Sequence, residues 1–252
     1  MRLDRLNSIE QYVLDKKTVS LEEISQHYNI SISTLRRDLH EILSRGRLKK
    51  VYGGVTANTA FQDAVPLNER AVQNSSGKEQ IGKLAASLVR DGMTIFLDSG
   101  TTTAAMLPFL ADKNNVTVIT HSLTALTEAV KVPSLHIISL GGVYNKSTSS
   151  FVGSTTTEEL SRMRIDMVFL AATGVSVENG LTNTTYFEVS VKECAAKLNH
   201  ALVLMADHTK FGRDALLSFC PLKNLSAVVT DRPLPAAFQK VLETNHVRIL
   251  VP

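Results

Sequence analysis

Two stretches of this chain carry side chains whose types and spacing suit them to holding phosphate or base edges. The first is Ser31-Ile32-Ser33-Thr34-Leu35-Arg36-Arg37-Asp38-Leu39. Arginine can grip guanine O6/N7 or a phosphate with two parallel hydrogen bonds, and serine can approach either base edges or backbone. At about 100° per residue, Leu35, Leu39 and Ile42 fall on one side of a helix and Ser33, Arg36, Arg37 and His40 on the other. Such a helix suits the DNA major groove. On this stretch alone a solvated basic helix reads equally well. The second stretch is Asp98-Ser99-Gly100-Thr101-Thr102-Thr103. Glycine permits a tight turn, and hydroxyls with free amides at a helix start favour a phosphate. An ordinary helix cap is an equal alternative there.

The elements around the first stretch move the balance. Leu3, Leu6, Ile9 and Val13 recur at helical spacing and predict a helix ending near Asp15-Lys16-Lys17. Ser20-Leu21-Glu22-Glu23 is a capping box, Ser20 capping a second helix and Glu23 reaching back to the Ser20 amide. Asn29-Ile30 is a tight connection, and Ser31 caps the third helix. Helix, helix, short turn, helix is the helix-turn-helix order, in which the last helix reads the groove. Arg47-Leu48-Lys49-Lys50-Val51, Gly53-Gly54 and Val55 then read as a β-hairpin, a wing whose Arg47, Lys49 and Lys50 would meet phosphates.

Charge supports this placement. Residues 1–57 carry ten Lys/Arg against seven Asp/Glu, the whole of the chain's net +3, and the remainder balances at 17 against 17. Asn58 to Gly77 gathers Pro66, Asn68, Asn74, Ser75, Ser76 and Gly77 without an apolar face, which marks a linker. The domains read as 1–57, a linker 58–77, and 78–252.

From Lys78 short apolar runs alternate with helical patterns. A helix bearing Ile81, Leu84, Ala85 and Leu88 precedes strands at 94–98, 116–120, 136–140, 167–171, 201–206, 227–230 and 247–251. This is an α/β pattern, a mostly parallel sheet covered on both faces. Open sheets of that kind bind ligands at the carboxyl ends of their strands. Those ends hold Asp98 to Thr102, His121, Gly141-Gly142 with Lys146, Thr173, and Asp207 with Lys210, with Glu188 on a nearby helix. In a parallel sheet they converge on one crevice. Bland readings stand beside these: His136 as a packed strand histidine, Cys194 as packing, and Asp207 as a partner of Lys210 or Arg213.

Composition closes off other classes. Two cysteines make neither a disulfide framework nor a metal-ligand spacing, and the seven histidines show no H-x-x-x-H pattern. No metal and no cofactor is expected. Arg2, Asp4, Arg5 and Glu10 interrupt any apolar run near the start, and nothing approaches the roughly 18–20 apolar residues of a membrane span. A cytoplasmic protein is the simplest expectation.

Arg5, Ile9, Val13, Ser31, Thr34-Leu35-Arg36-Arg37-Asp38-Leu39, Leu43 and Tyr52-Gly53-Gly54 together resemble the DeoR family of bacterial transcriptional regulators. Asp98-Ser99-Gly100-Thr101-Thr102, Gly141-Gly142, Val152-Gly153 and Asp207-His208-Thr209-Lys210-Phe211-Gly212 resemble that family's sensor domain. The resemblance implies a winged helix-turn-helix on double-stranded operator DNA, joined to a fold of the sugar-phosphate isomerase type that recognises phosphorylated sugars or related intermediates. It implies that Ser99, Gly100, Thr101 and Thr102 hold phosphate and Lys210 adds positive charge. Asp98, Asp207 and Glu188 would take sugar hydroxyls or orient Lys210. Ala172-Thr173-Gly174 with Gly180-Leu181-Thr182-Asn183 looks most like members tied to inositol or related polyol catabolism.

The competing reading is a sugar-phosphate isomerase with an accessory DNA-binding domain. Such isomerases carry an acidic loop, roughly Asp-Gly-x-Asp-Glu, after the fourth strand. Here Thr173-Gly174-Val175-Ser176-Val177 stands in its place, with no acid before Glu178. Proton shuttling needs a positioned carboxylate, so the expectation is binding without turnover: a homo-oligomeric repressor of a carbohydrate or polyol operon, released from DNA by a phosphorylated effector.

Overall fold

The computed structural model describes residues 2–44, 48–51, 53–57, 67–198 and 201–252, with the backbone alone for 2–4, 44, 49, 57 and 67–69. The chain divides into two compact units, Met1–Asp63 and Ala64–Pro252, each described by itself.

The first unit runs α1 (Arg2–Lys16), β1 (Thr18–Ser20), α2 (Leu21–His27), α3 (Ile32–Ser44), β2 (Leu48–Val51) and β3 (Gly54–Ala57). The apolar stripes meet as their spacing requires, so that Leu6, Ile9, Val13, Ile24, Leu35 and Ile42 are buried in one core. The Arg5 guanidinium grips Asp38 with Nε at 2.9 Å and Nη2 at 2.8 Å, tying α1 to the middle of α3. Ser20 caps α2 through the Glu23 amide at 3.0 Å. The other half of the expected capping box is different. The Glu23 carboxylate takes hydrogen bonds from Lys16 Nζ (2.6 Å) and Tyr12 Oη (3.2 Å), because α1 offers it a cation. The hairpin of β2 and β3 turns through Gly53 at φ +75°, a left-handed conformation that favours glycine. β1 joins as a third antiparallel strand, in the order β1-β3-β2. Three residues are too few for an alternation to show in the sequence.

The second unit opens with α4 (Leu67–Val72), α5 (Ser75–Ala86), β4 (Thr94–Leu97), α6 (Thr101–Ala104), β5 (Val116–Thr120), α7 (Leu123–Ala129) and β6 (Leu135–Ser139). It continues through the hairpin β7 (Val143–Asn145) and β8 (Ser150–Val152), then α8 (Ser154–Ser161), β9 (Met167–Leu170), β10 (Gly174–Ser176), β11 (Gly180–Asn183) and α9 (Tyr186–Lys197). β12 (Ala201–Met205), β13 (Leu217–Cys220), β14 (Ala227–Val229), α10 (Ala236–Thr244) and β15 (Arg248–Leu250) complete it. The seven apolar runs form one sheet, all pairs parallel, in the order β15-β14-β12-β9-β4-β5-β6. Its two faces bury separate cores, one around Phe96, Val168, Leu170 and Leu204, the other around Ile95, Leu97, Phe169 and Val203. Alternate residues of each strand therefore point into different apolar layers, which is why the strands read as continuous apolar runs.

Three features depart from the sequence reading. Part of the stretch read as linker is helical: α4 and the first turn of α5 lie within it, and residues 58–66 lie outside the described residues. Those helices are fastened by polar contacts, Asn74 Nδ2 donating to Asp231 at 3.0 Å and Lys78 Nζ to the Arg70 carbonyl, so no apolar period announces them. His136 is exposed, because β6 is an edge strand and lacks a neighbour to cover it. An antiparallel sheet in the order β10-β11-β13 and the β7–β8 hairpin also appear, in short segments rich in glycine and polar residues. Among the described residues no helix is long and apolar enough to cross a membrane.

Candidate nucleic-acid interface and ligand crevice

α3 presents the face its sequence requires. Leu35, Leu39 and Ile42 pack inward, while Ser33, Arg36, Arg37 and His40 are exposed. Ser31 accepts the Thr34 amide at 3.2 Å, and its hydroxyl lies 2.9 Å from both Ser33 Oγ and Thr34 Oγ1. A hydroxyl cluster thus sits at the helix start, with two arginines one turn on. The Arg5–Asp38 pair holds the helix from behind without using either arginine. Lys50 projects from β2 into solvent. Arg47 lies outside the described residues, and Lys49 is described by its backbone in β2.

In the second unit the candidate site is built on Asp98, just past the carboxyl end of β4, an inner strand of the sheet. Asp98 is 0% exposed. Its Oδ1 takes the Ser99 amide at 2.8 Å and lies 3.4 Å from His121 Nε2. Its Oδ2 takes the Ala171 amide at 2.8 Å and the Lys192 ammonium, which also donates to the Ala171 carbonyl at 3.0 Å. Burial alone would push this carboxyl up, but Lys192 and His121 hold it well below the usual carboxylate range. His121 is itself buried, its Nδ1 2.9 Å from the Phe151 carbonyl and its ring stacked on Phe96. Gly100 is needed because a Cβ there would run into Ala171 Cβ. Thr103 braces the turn, donating to the Asp98 and Gly100 carbonyls at 2.7 and 2.8 Å.

Glu188, at the start of α9, is the second centre. Its Oε1 accepts from Ser99 Oγ (2.7 Å) and Ser150 Oγ (3.3 Å), and its Oε2 from Asn183 Nδ2 (3.2 Å). Thr173 reaches the same network by donating to Asn183 Oδ1 at 2.9 Å. Asp207, after β12, accepts the Thr209 amide at 2.9 Å and the Thr209 hydroxyl.

Three cations come under the influence of these acids, Lys78 also donating to the Arg70 carbonyl. Burial lowers the pKa of Arg70, and Glu188 and Asp98 act against that lowering. Burial also lowers Lys78 and Lys210, with Asp207 opposing and the neighbouring cations adding to the fall: Lys210 and Arg70 for Lys78, Arg70 and Arg213 for Lys210. The Arg70 charge is thus felt by Lys78 and Lys210 and is itself stabilised by Glu188 and Asp98. Cations that lose water and repel one another favour an anion among them.

Residues 5–61 match the family model described as the DeoR-like helix-turn-helix domain, and residues 73–232 match the DeoR C terminal sensor domain. The chain belongs to the DeoR family. It is a DNA-binding transcriptional regulator with a sensor domain. The HTH-type transcriptional regulator IolR of Bacillus subtilis is 35% identical over 251 residues, 99% of each chain. The Glycerol-3-phosphate regulon repressor of Escherichia coli is 28% identical over 97% of each chain. A solved ribose 5-phosphate isomerase A from Methanocaldococcus jannaschii aligns with 55% of each chain at 20% identity and a TM-score of 0.40, too distant to bear on function.

Within the DeoR sensor unit, direct hydrogen bonds join Asp98, Ser99, His121 and Glu188, and Thr173 through Asn183. Thr101 stands half-buried and Thr102 buried at the start of α6, beside Ser99 and Gly100. Asp207 and Lys210 are joined to each other, the Lys210 amide donating to the Asp207 carbonyl at 3.0 Å, and among the described contacts no hydrogen bond ties them to the Asp98–Glu188 network. Gly141 and Gly142 are exposed and fastened to α8, Thr156 Oγ1 donating to the Gly141 carbonyl at 2.6 Å and the Gly141 amide to Glu159 at 3.3 Å. Lys146 is exposed between β7 and β8, and among the described contacts none joins it to the Asp98–Glu188 network. Lys192, Arg70 and Lys78 were not legible as site residues. Each sits in a pattern that reads as a solvated helix or turn, and only the parallel order of the strands brings it inward.

Proposed function

We propose that this DeoR regulator represses a carbohydrate or polyol catabolic operon and that a phosphorylated sugar or polyol in the sensor crevice lowers its affinity for operator DNA. Arg36 and Arg37, with Ser31, Ser33, Thr34 and His40, read or flank the major groove, and Arg47, Lys49 and Lys50 hold backbone phosphates. The chain works in the cytoplasm as a homo-oligomer, two winged helices meeting repeated half-sites.

The observation that carries the effector reading is that Arg70, Lys78 and Lys210, all partly or wholly buried, lie within electrostatic reach of one another and of the acids Asp98, Glu188 and Asp207. A phosphate there would neutralise cations that now repel one another, while Gly100, Thr101 and Thr102 supply donors; Ser99, whose amide and hydroxyl are already given to Asp98 and Glu188, holds the turn in place. The similarity to a repressor named for glycerol 3-phosphate, a phosphorylated polyol, agrees with that chemistry.

Binding occurs without turnover in this reading. A general base needs a carboxylate free to take a proton. Asp98 is held by two amides and a lysine, Glu188 by three donors, and Asp207 by Thr209. The acids of the crevice are spent on building it.

The test is a thermal-shift screen of the full-length protein against phosphorylated sugars and polyols paired with their unphosphorylated forms, followed by gel shift on DNA upstream of neighbouring genes. A ligand that favours the native state raises the melting point by mass action. The expected result is stabilisation by a phosphorylated compound only, which comes back unchanged and weakens the DNA complex. Conversion of the compound at enzymatic speed would instead revive the isomerase reading.

A further inference from the structure

The seven-stranded sheet has two open edges, and they are built differently. β15 is three residues long and carries the exposed Arg248. β6 is five residues long, and from Val132 to Asn145 the chain holds no Asp, Glu, Lys or Arg. Among the described residues no strand pairs with the outer side of β6. Unpaired amides and carbonyls along an edge invite further pairing, and proteins normally blunt such an edge with a charge, a proline or a covering element. β15 has its arginine; β6 has none of these.

The surface beside β6 continues in kind. Ile138 is 41% exposed, Val143 72%, Tyr144 46% and Leu123 37%. Leu123 and Tyr144 are neighbours, and Ile138 faces outward from the adjoining edge strand. Tyr144 packs on Phe151 with ring centres 5.6 Å apart, its hydroxyl lies 3.3 Å from Ser149 Oγ, and the Leu123 amide donates to the Ser149 carbonyl at 2.9 Å. α7 packs beside β6.

Charge decides the occupant. A two-fold interface sets a patch against its own copy, so any charge near the axis meets its like. β6 and β7 carry no Asp, Glu, Lys or Arg, Lys146 being confined to the hairpin turn, so they avoid that cost and offer nothing to a partner recognised by ion pairs. A stable pair also needs about 800 Å² per partner, more than one five-residue strand presents, which is where the hairpin and α7 enter. We propose that β6, the β7–β8 hairpin and the start of α7 form the contact with a second copy of this chain, sheet edge to sheet edge. The proposal rests on the homo-oligomer reading above and adds where the contact lies.

The test is the mass of the full-length protein by light scattering and sedimentation, for the wild type, Ile138→Lys, Ile138→Glu and their equimolar mixture. The wild type is expected at an even multiple of the chain mass. Each variant alone should fall to half that mass with its thermal melting kept, and the mixture should return to the wild-type mass as opposite charges meet. Arg248→Ala, on the other edge, should leave the mass unchanged. If Ile138→Lys fails to fold, Val143→Lys on the hairpin is read in the same way. Variants that keep the wild-type mass, or a mixture that stays at half, would overturn the β6 contact and leave the oligomer standing. A monomeric wild type would remove both.

Discussion

At the scale of single residues, the crevice depends on charges that neutralise one another before any ligand arrives. Lys192 and Asp98 are 3% and 0% exposed. Removing one member of a buried pair typically costs about 3–5 kcal/mol, because the other is left without compensation. Lys192→Met should therefore destabilise the sensor unit by about that amount in urea titrations. The pH dependence follows. With Lys192 present the folded pKa of Asp98 lies below its unfolded value, so the stability it contributes is full above about pH 4 and is lost only as the solution becomes strongly acidic. Without Lys192 burial dominates and raises the folded pKa. Stability of the variant should then fall as pH rises above about 4, where the wild type is flat in this group. A flat variant would show that Lys192 does not set the Asp98 charge. Thr101→Glu places a carboxylate where phosphate is proposed, and should abolish the effector response in gel shift while DNA binding survives. Ser99, Thr101 and Asp207 could be singled out in the sequence because they follow apolar runs directly. Lys192 could not, since its partner lies 94 residues away and its helix shows an ordinary mixed surface.

At the scale of elements, α3 is legible almost completely, because one helix face and one cap carry its whole logic. Arg37→Ala should weaken specific operator binding by about 1–3 kcal/mol, with little change on unrelated DNA. Equal losses on both would make Arg37 a backbone contact. Lys50→Ala on the wing should weaken all sequences alike and reduce the salt slope of binding by about one unit. An unchanged slope would leave β2 out of the interface. The parallel strands were legible for a related reason, since burial on both faces leaves uninterrupted apolar runs. The small sheet of β10, β11 and β13 was not. Gly174–Ser176 and Gly180–Asn183 are short, polar and glycine-bearing, and β13 comes from a segment more than thirty residues further on, as the pairing of Leu181 with Cys220 records. α4 and the start of α5 escaped because polar fastenings stand where an apolar stripe would.

At the scale of the whole molecule, the net positive charge lies in residues 1–57 and the remainder of the chain balances, and that division was visible in composition alone. An effector that binds the non-DNA form better by about 1–3 kcal/mol changes operator affinity roughly 5–150-fold. Linkage makes the effect reciprocal. Calorimetric titration of the effector should therefore show its affinity falling by the same factor once operator DNA is bound. Equal affinities with and without DNA would disconnect the crevice from the grip, whatever else it binds.

The Asn74–Asp231 hydrogen bond spans 157 residues, and Asp231 also takes the His208 amide at 2.7 Å. During synthesis the reading head therefore leaves the ribosome long before the metabolite seat can be closed. A message cut between those two points yields a sensor sheet without all its strands, and with it go both the effector seat and the β6 edge on which the pairing of two copies is proposed. Nonsense mutations in the distal half of the gene should therefore switch the target genes on, as those in the first sixty or so codons should; distal stops that kept the genes silent would show that the reading head holds its operator without a partner.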